Sequence, residues 1–513
     1  MTVGIVAAAV EPKFTLINCG STERINISGI VWLSDESYSL SGTPRNLTIP
    51  GLSPTLSTLR SFPYRKSDGP RKFCYRIHIY SNATYLIRAT FFYGAPSPPV
   101  FDLLLDGTLW TVVNTTADYE RDLASYYEII YRPVRPKTVS LCLAGTDYTE
   151  GNLFISSIEM VILDPSAYNA TDFESYALGL ISRSAFGYAG PMLRLPDDKF
   201  NRFWQPFTDG GNSIQTSDNI YASGFWNSPP SKLFKTSLVA KNGNSLQLQW
   251  PPVQLPTSSY YISFYFLETS SVNSDKFDIY LNDDIFFKDL NPTLSGISVF
   301  SPNWTLSGSS TLRLVSSAES NLPPSINGGE IFRILNVGYT SLTRDITALL
   351  EIKKLFENPP SGWEGDPCFP EKYRWTGITC SEGSKDLNPS RGPRVTSMDL
   401  SNLGISGSLS IWVSNLTALS DILVGNNSLK GTIPDLTKLK QLKRLHLQDN
   451  QFSGELPFSL GEIDSLQELF VQNNNLTGEI PPSLIRDGLV LRTFGNRFSS
   501  APALSPTSSN STI

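Results

Sequence analysis

At 513 residues the chain exceeds what one hydrophobic core serves, and a prior of roughly 150 residues per domain gives about three domains. Charged residues make up 17%, aromatics 11%, and the formal net charge is −6 with no long basic run, which makes nucleic acid a poor partner. Glycine and proline, 36 of each, suit many short strands joined by turns.

Residues 1–13 open on "MTVGIVAAAV", an apolar run whose Ala7-Ala8-Ala9 has the form of a cleavage site. It lacks a basic start and full length, so it reads as a truncated signal segment. No run of about 20 apolar residues follows, so a membrane anchor, if one belongs to this protein, lies outside this chain.

Residues 14–193 and 194–341 carry a faint duplication. "YLIRATFFYG" (85–94) precedes "FDLLLDGTLW" (101–110), and "YYISFYFLET" (260–269) precedes "FDIYLNDDIFF" (277–287). Phe101-Asp102 recurs 176 positions later as Phe277-Asp278, and "VSLCLAG" and "FISSIEMVIL" have counterparts at an offset near 171. Each half consists of short alternating or apolar runs bounded by Gly, Pro, Asn or Asp, the signature of antiparallel β-sandwiches. Asp106-Gly107 and Asn282–Asp284 suit hairpin turns. Two similar sandwiches are expected, split near "RLPDDKFNRFW" (194–204). Six sequons fall in turn-like contexts here: Asn26, Asn46, Asn82, Asn114, Asn169 and Asn303.

"INCGS" (17–21), "LRSFP" (59–63), "KFCYRI", "YLIRATFFYG", "FDLLLDGTLW" and "FISSIEM" resemble the malectin-like ectodomains of plant receptor kinases and receptor-like proteins. The resemblance covers about 330 residues. It implies β-sandwiches that recognise a cell-wall glycan or a peptide outside the cell, with aromatics and a carboxylate on loops at one end. Carried onto this chain, it makes Phe92 and Tyr93 the ligand-binding candidates: aromatic faces stack on sugar rings. The bland alternative is that Phe92 is core and Tyr93 ends a strand.

"TRDITALLEIKKLF" (343–356) reads as a helix capped by Thr343, with Ile346, Leu349, Leu350, Lys353 and Phe356 on one side and Lys353 snorkelling. Residues 342–394 then hold "GWEGDPCFPEKYRWTGITC", with Trp363, Trp375 and two cysteines. Zinc needs two further ligands that are not nearby, and a redox pair usually reads C-x-x-C. A disulfide between Cys368 and Cys380 closing a small loop is the expectation, with the helix and tryptophans covering the end of the repeats that follow. This "GDPC" junction also resembles that of symbiosis-type malectin-like receptors, and without a kinase the similarity is to their kinase-lacking receptor-like relatives. Cys74 and Cys142, both on expected strands, are the choice for a second bridge, with Cys19 paired to either as the alternative.

From 395 to 499 the period becomes 23–24 residues: L-x-x-L-x-L-x-x-N-x-L-x-G-x-I-P, the leucine-rich repeat in its plant extracellular form, four or five times over. Asn427, Asn450, Asn474 and, in a shortened last repeat, Asn496 hold the ladder position, where an inward asparagine satisfies backbone groups. The residue between the last two leucines of each strand points outward, and that column reads Asp399, Leu423, His446 and Phe470, with Lys443, Arg444, Gln448, Glu468 and Gln472 beside it. An apolar and aromatic centre ringed by charge has the composition of a protein interface. The alternative is that the sandwiches fold over this face. Asn415, Asn426 and Asn475 are sequons of this region, the last two flanking ladder asparagines. Residues 500–513, Ser/Thr/Pro-rich and carrying the sequon Asn510, read as a solvated stalk.

Two histidines and no G-x-S-x-G, H-E-x-x-H, Walker or kinase signature argue against an enzyme, and no cofactor or metal is implied. Asp197-Asp198 and Asp283-Asp284 read as solvated turn acids rather than a glycosidase pair. The expected fold class is mainly β, tandem malectin-like sandwiches followed by a short leucine-rich-repeat solenoid. The expected function is non-enzymatic recognition at the outer face of the plasma membrane, with a receptor kinase or co-receptor ectodomain as protein partner. The alternative is a secreted structural protein that binds wall polysaccharide, and a glycoside hydrolase ranks behind both.

Overall fold

The computed structural model describes residues 13–499 except 28, 40, 134–137, 217–224, 242, 268–275, 319, 321–322 and 383–391. Residues 1–12, within the expected signal segment, and 500–513, the expected stalk with the sequon Asn510, lie outside the described residues.

The duplication is repeated in the strand order. In the first half Phe14–Asn18, Ser157–Ile162, Tyr85–Phe91 and Ser125–Tyr131 lie side by side in that order. In the second half Tyr176–Phe186, Gly328–Asn336, Leu255–Phe266 and Ile297–Gly308 repeat it. The second layers also match: Arg71–His78, Thr138–Gly145, Phe101–Leu105 and Thr108–Val113 in one, Ser245–Gln249, Thr311–Ser316, Phe277–Leu281 and Asp284–Leu290 in the other. Period-2 alternation turns Phe101, Leu103 and Leu105 inward against Ile87, Ala89 and Phe91, and Phe277, Ile279 and Leu281 inward against Ile262, Phe264 and Phe266. Even the exit from the first strand is shared. Gly20 and Gly187 both have positive φ, and a Cβ on them would lie 2.1 Å from the Leu59 carbonyl oxygen and 2.2 Å from that of Ser237, so only glycine fits.

This equivalence corrects the expected split at 193/194. Tyr176–Phe186 is the first strand of the second unit, yet it also pairs antiparallel with Ser125–Tyr131 of the first, through Ile129 opposite Gly179 and Ile130 opposite Leu178. The halves therefore share one eleven-stranded sheet. The turn-rich segment 194–204 does not link two bodies; it folds back over the sheet where they meet. Asp198 is accordingly buried, its carboxylate 2.9 Å from the Arg202 guanidinium and 2.8 Å from the Trp204 indole nitrogen, not a solvated turn acid. Asp197 pairs with Lys232 at 3.0 Å, and Asp283 and Asp284 are exposed.

The helix runs Thr343–Leu355. Thr343 does not cap it: Leu342 holds the N-cap position without a side-chain bond. The first-turn Asp345 is instead buried, accepting from the Val395 amide at 3.0 Å and pairing with Arg394 at 2.9 Å, which pins the helix to the first repeat. Lys353 donates to the Trp363 carbonyl at 2.8 Å rather than snorkelling to water. Trp363 and Trp375 stack with centroids 5.0 Å apart, Cys368 is bonded to Cys380, and the helix, tryptophans and repeat leucines form one continuous core. That core is the expected N-terminal cover of the solenoid.

Five parallel strands follow: Val395–Asp399, Asp421–Leu423, Arg444–His446, Glu468–Phe470 and Val490–Arg492. The ladder works as its chemistry requires. Asn450 donates to the carbonyls of Val424 (2.9 Å), Leu447 (3.2 Å) and Gln448 (3.1 Å) and accepts from the Leu429 amide (2.9 Å). Asn427, Asn474 and Asn496 repeat the arrangement.

Candidate functional site

The parallel register aligns Asp399, Leu423, His446 and Phe470 in one row, and continues it to Arg492. Adjacent parallel strands lie about 4.8 Å apart, so side chains at matched positions touch. The His446 ring stacks on Phe470 with centroids 4.2 Å apart and planes 14° from parallel. Arg492 sits over the opposite part of the row, its guanidinium carbon 4.3 Å from the Phe470 centroid. Leu423, His446 and Phe470 are half-buried, while Asp399 and Arg492 are exposed. The inward Ile422, Leu445 and Leu469 are completely buried, so folding already has its core without this row.

Charge surrounds the row in pairs. His446 Nε2 lies 2.7 Å from Glu468 Oε2, and Arg444 is bonded to Asp421. Burial pushes the Asp421 carboxyl up, but the Arg444 guanidinium and the Ser420 hydroxyl outweigh it and hold it below the ordinary carboxylate range. Gln472, expected beside the row, is buried instead. Lys443 and Arg444 stay exposed.

In the first sandwich Phe92 is 6% exposed and its amide is held by the Ser156 hydroxyl at 3.0 Å, so its ring belongs to the interior. Tyr93 is half-buried against Phe154, centroids 4.7 Å apart. The strand end that suggested a sugar platform therefore leaves only Tyr93 with an accessible part.

A cleft of about 420 Å³ opens elsewhere, on the outer face of the shared sheet. Trp32, Leu56, Leu123, Tyr126, Met192 and Phe203 line it, with Arg194 on its wall. Arg194 is exposed, 6.0 Å from the Phe203 centroid, and has no carboxylate partner among the described residues. The size and the mix of apolar wall with a few polar groups are those of a small-ligand site.

Behind Phe203 runs a buried ionic row that crosses from one half to the other. Arg88 packs 3.4 Å over the Phe203 ring and pairs with Glu159 (2.9 Å) and Glu128 (2.7 Å). Glu128 also pairs with Arg183 (2.7 Å), and Arg183 with Glu330 (2.6 Å). The hydroxyls of Tyr168 (2.7 Å) and Tyr265 (2.5 Å) donate to Glu330. Burial raises the Glu128 carboxyl, but Arg183 and Arg88 more than reverse that and leave it depressed. The cleft thus backs, through Phe203 and Glu159, onto an ionic row that spans both halves.

The repeats are equally fixed to the first sandwich. Lys72 donates to the carbonyls of Asp366 (2.5 Å) and Phe369 (2.9 Å), the Cys74 amide donates to Glu364 (2.6 Å), and the Tyr373 hydroxyl donates to Asp102 (2.6 Å). Cys74 is bonded to Cys142, and Gly365 packs directly on that bridge, where a Cβ would lie 2.9 Å from one sulfur and 3.0 Å from the other. Cys19 is free and buried.

Sequence reasoning placed the row of the repeats and missed its end at Arg492, where the truncated "LVLRTF" hides the pattern. It also missed the cleft. Trp32, Leu123 and Arg194 lie in three distant segments, and nothing in their spacing announces that they meet.

The Malectin-like domain family matches residues 17–334, the Leucine rich repeat N-terminal domain 342–381, and the Leucine Rich Repeat 441–463 and 465–486. A probable LRR receptor-like protein kinase of Arabidopsis thaliana is 30% identical over 441 residues, covering 82% of this chain and 48% of the relative. A probable LRR receptor-like serine/threonine-protein kinase of the same plant is 29% identical over 484 residues, covering 87% and 49%. The chain spans about half the length of the curated relatives it matches. Among solved structures, the ANX1 ectodomain of Arabidopsis thaliana matches with a TM-score of 0.52 at 19% identity, covering 63% of this chain and 96% of that one. The ANXUR2 extracellular domain gives 0.51 at 17%, covering 63% and 96%.

Proposed function

Because this chain belongs to the malectin-like family and carries leucine-rich repeats behind its malectin-like part, we propose that it is a non-enzymatic extracellular recognition module of a receptor-like protein, displayed at the outer face of the plasma membrane. The sandwiches take a cell-wall carbohydrate or peptide ligand, and the repeats take a protein partner, a receptor kinase or co-receptor ectodomain. The observation that carries this reading is the row Leu423, His446, Phe470 and Arg492. His446, Phe470 and Arg492 stack in line on the strand face with Leu423 next in register, and the inward leucines and isoleucine beneath them are completely buried without them. Apolar and aromatic surface that folding does not use, ringed by paired charge, is what a partner interface offers.

For the ligand end, the cleft beside Arg194 is the better candidate than the Phe92–Tyr93 strand end, since Phe92 is interior. Its unpaired guanidinium suits an anionic or hydroxyl-bearing group, and its aromatic walls suit the apolar face of a sugar or a side chain.

The test is Phe470→Ala in the secreted chain, assayed for binding to a panel of receptor kinase ectodomains beside a thermal melt. Loss of a central aromatic anchor weakens binding by about 1–3 kcal/mol, about 5- to 150-fold, while the melt stays near wild type. Unchanged affinity with an unchanged melt refutes the assignment of this face.

A further inference from the structure

The sequons of the sandwiches are not scattered over its surface. Ile25–Ile27 is the terminal strand at one end of the eleven-stranded sheet, and Asn26 is its central, exposed residue. Ile297–Gly308 is the terminal strand at the other end, and Asn303 lies within it, exposed, beside Pro302 where the register to Leu255–Phe266 shifts. Thr43–Asn46, exposed at all four positions, is the edge of the three-stranded sheet and ends on Asn46. Thr108–Val113 is the edge of the four-stranded sheet and is followed at once by Asn114. The other two sandwich sequons, Asn82 and Asn169, lie in turns between strands.

An edge strand presents a row of unpaired backbone groups and templates pairing with another chain unless something blocks it. These edges need a block. Leu109 is 49% and Val112 44% exposed on the strand that Asn114 follows, and Val31 is 50% exposed opposite Asn26. Twelve residues is long for an edge strand, and Ile297–Gly308 has that length. By contrast Asp284–Leu290, an edge with exposed Ile285 and Phe287 and no sequon, carries Asp284, Lys288 and Asp289, the charged alternative to a sugar. At two of the four sites the exposed asparagine is held by a local turn bond: Asn26 Oδ1 accepts from the Gly29 amide at 2.9 Å and Asn114 Oδ1 from the Thr116 amide at 3.1 Å.

We propose that N-linked sugars on Asn26, Asn46, Asn114 and Asn303 cap four of the open sheet edges, leaving the short Asn212–Gln215 and Ser245–Gln249 edges bare, and keep the ectodomain from pairing edge to edge with copies of itself. The inference rests on the reading above that the chain is exported. In the modification each Nδ2 loses one hydrogen as a proton and forms a bond to C1 of an oligosaccharide. The C1–O bond to the lipid diphosphate donor of the secretory pathway breaks, and the lipid diphosphate leaves with the bonding pair. A branched, hydrated sugar beside the strand then occupies the space a docking strand needs.

The experiment uses the full chain secreted from plant cells. Site occupancy is read by glycopeptide mass spectrometry and self-association by size-exclusion chromatography with light scattering. Three proteins are compared with wild type: Asn→Gln at the four edge sites together, Asn→Gln at Asn82 and Asn169, and Asn→Lys at the four edge sites. The expected result is sugar on all four edge sites, a shift from monomer to dimer or larger in the edge Gln protein, and monomers in the turn-site and Lys proteins. If the edge Gln protein is not secreted, enzymatic trimming of folded wild type replaces it and gives the same shift. A monomeric edge Gln or trimmed protein overturns the proposal, as does equal association in the turn-site variant. Sugar on Asn82 and Asn169 but none at the edges overturns the edge role alone, whereas failure to enter the secretory pathway overturns the exported reading as well.

Discussion

Replacing Arg183 by Met tests whether the buried ionic row holds the two malectin-like halves together. Arg183 is completely buried and sits on the strand that joins the halves, between Glu128 of the first (2.7 Å) and Glu330 of the second (2.6 Å). Methionine has comparable reach and no charge. Its substitution leaves Glu128 with Arg88 alone and Glu330 with two tyrosine hydroxyls, so three carboxylates face one guanidinium in the row where they faced two. Removing one partner of a buried pair costs about 3–5 kcal/mol, because the other charge stays buried. For a unit of this size that lowers the melting temperature on the order of 5–10 °C. Arg183→Lys keeps the charge but reaches one carboxylate at a time, so it falls between wild type and Met. Adding Glu330→Gln to Arg183→Met removes one stranded charge and recovers part of the loss. The assay is a thermal melt of the secreted chain with limited proteolysis at 194–204, the segment lying over the row. A Met variant that melts within about 1 °C of wild type refutes the view that this row carries the junction. A Lys variant as damaged as Met points to shape rather than charge.

Asn450→Ala removes three donated bonds and one accepted bond inside the repeats and lowers solenoid stability by about 2–4 kcal/mol, measured by chemical denaturation. Cys368→Ser with Cys380→Ser opens a loop of 12 residues at the cap and costs roughly 3 kcal/mol, and Cys74→Ser with Cys142→Ser opens one of 68 and costs about 4 kcal/mol. Equal losses from the two pairs contradict the loop-entropy account. Burial between cap and sandwich raises the Glu364 carboxyl, with the Cys74 amide only partly offsetting it. The folded state therefore binds that proton more tightly than the unfolded state, whose value is about 4.3. Stability from this group is present below that value and falls as pH rises towards the raised folded one. Glu364→Gln abolishes that slope, so the difference in denaturation midpoint between variant and wild type grows with pH; a constant difference refutes it.

Local periodicities are legible in the sequence itself, since their causes are local. Alternation with period 2 set the inward faces of Phe101–Leu105 and Phe277–Leu281. The 23–24-residue leucine period set the coils and their ladder asparagines. The outward row through Phe470 followed from strand geometry alone, and both disulfides fell on the pairs chosen from their context. Other features needed the tertiary structure. In the sequence Arg88, Glu128, Arg183 and Glu330 are four charged residues far apart, with no local sign of burial. Glu128 and Glu159 reach Arg88 within the first half, but only the meeting of the two halves along Tyr176–Phe186 sets Arg183 between Glu128 and Glu330, which is why the boundary and the ionic row behind the cleft were illegible. Asp198 has its partner Arg202 four residues on, and only the fold buries that pair. The docking of the cap onto the Cys74–Cys142 sheet is of the same kind. Lys72, Glu364 and Tyr373 bond across nearly three hundred positions of chain. Burial of a charge is decided by what surrounds it in space, and spacing along the chain carries no record of that.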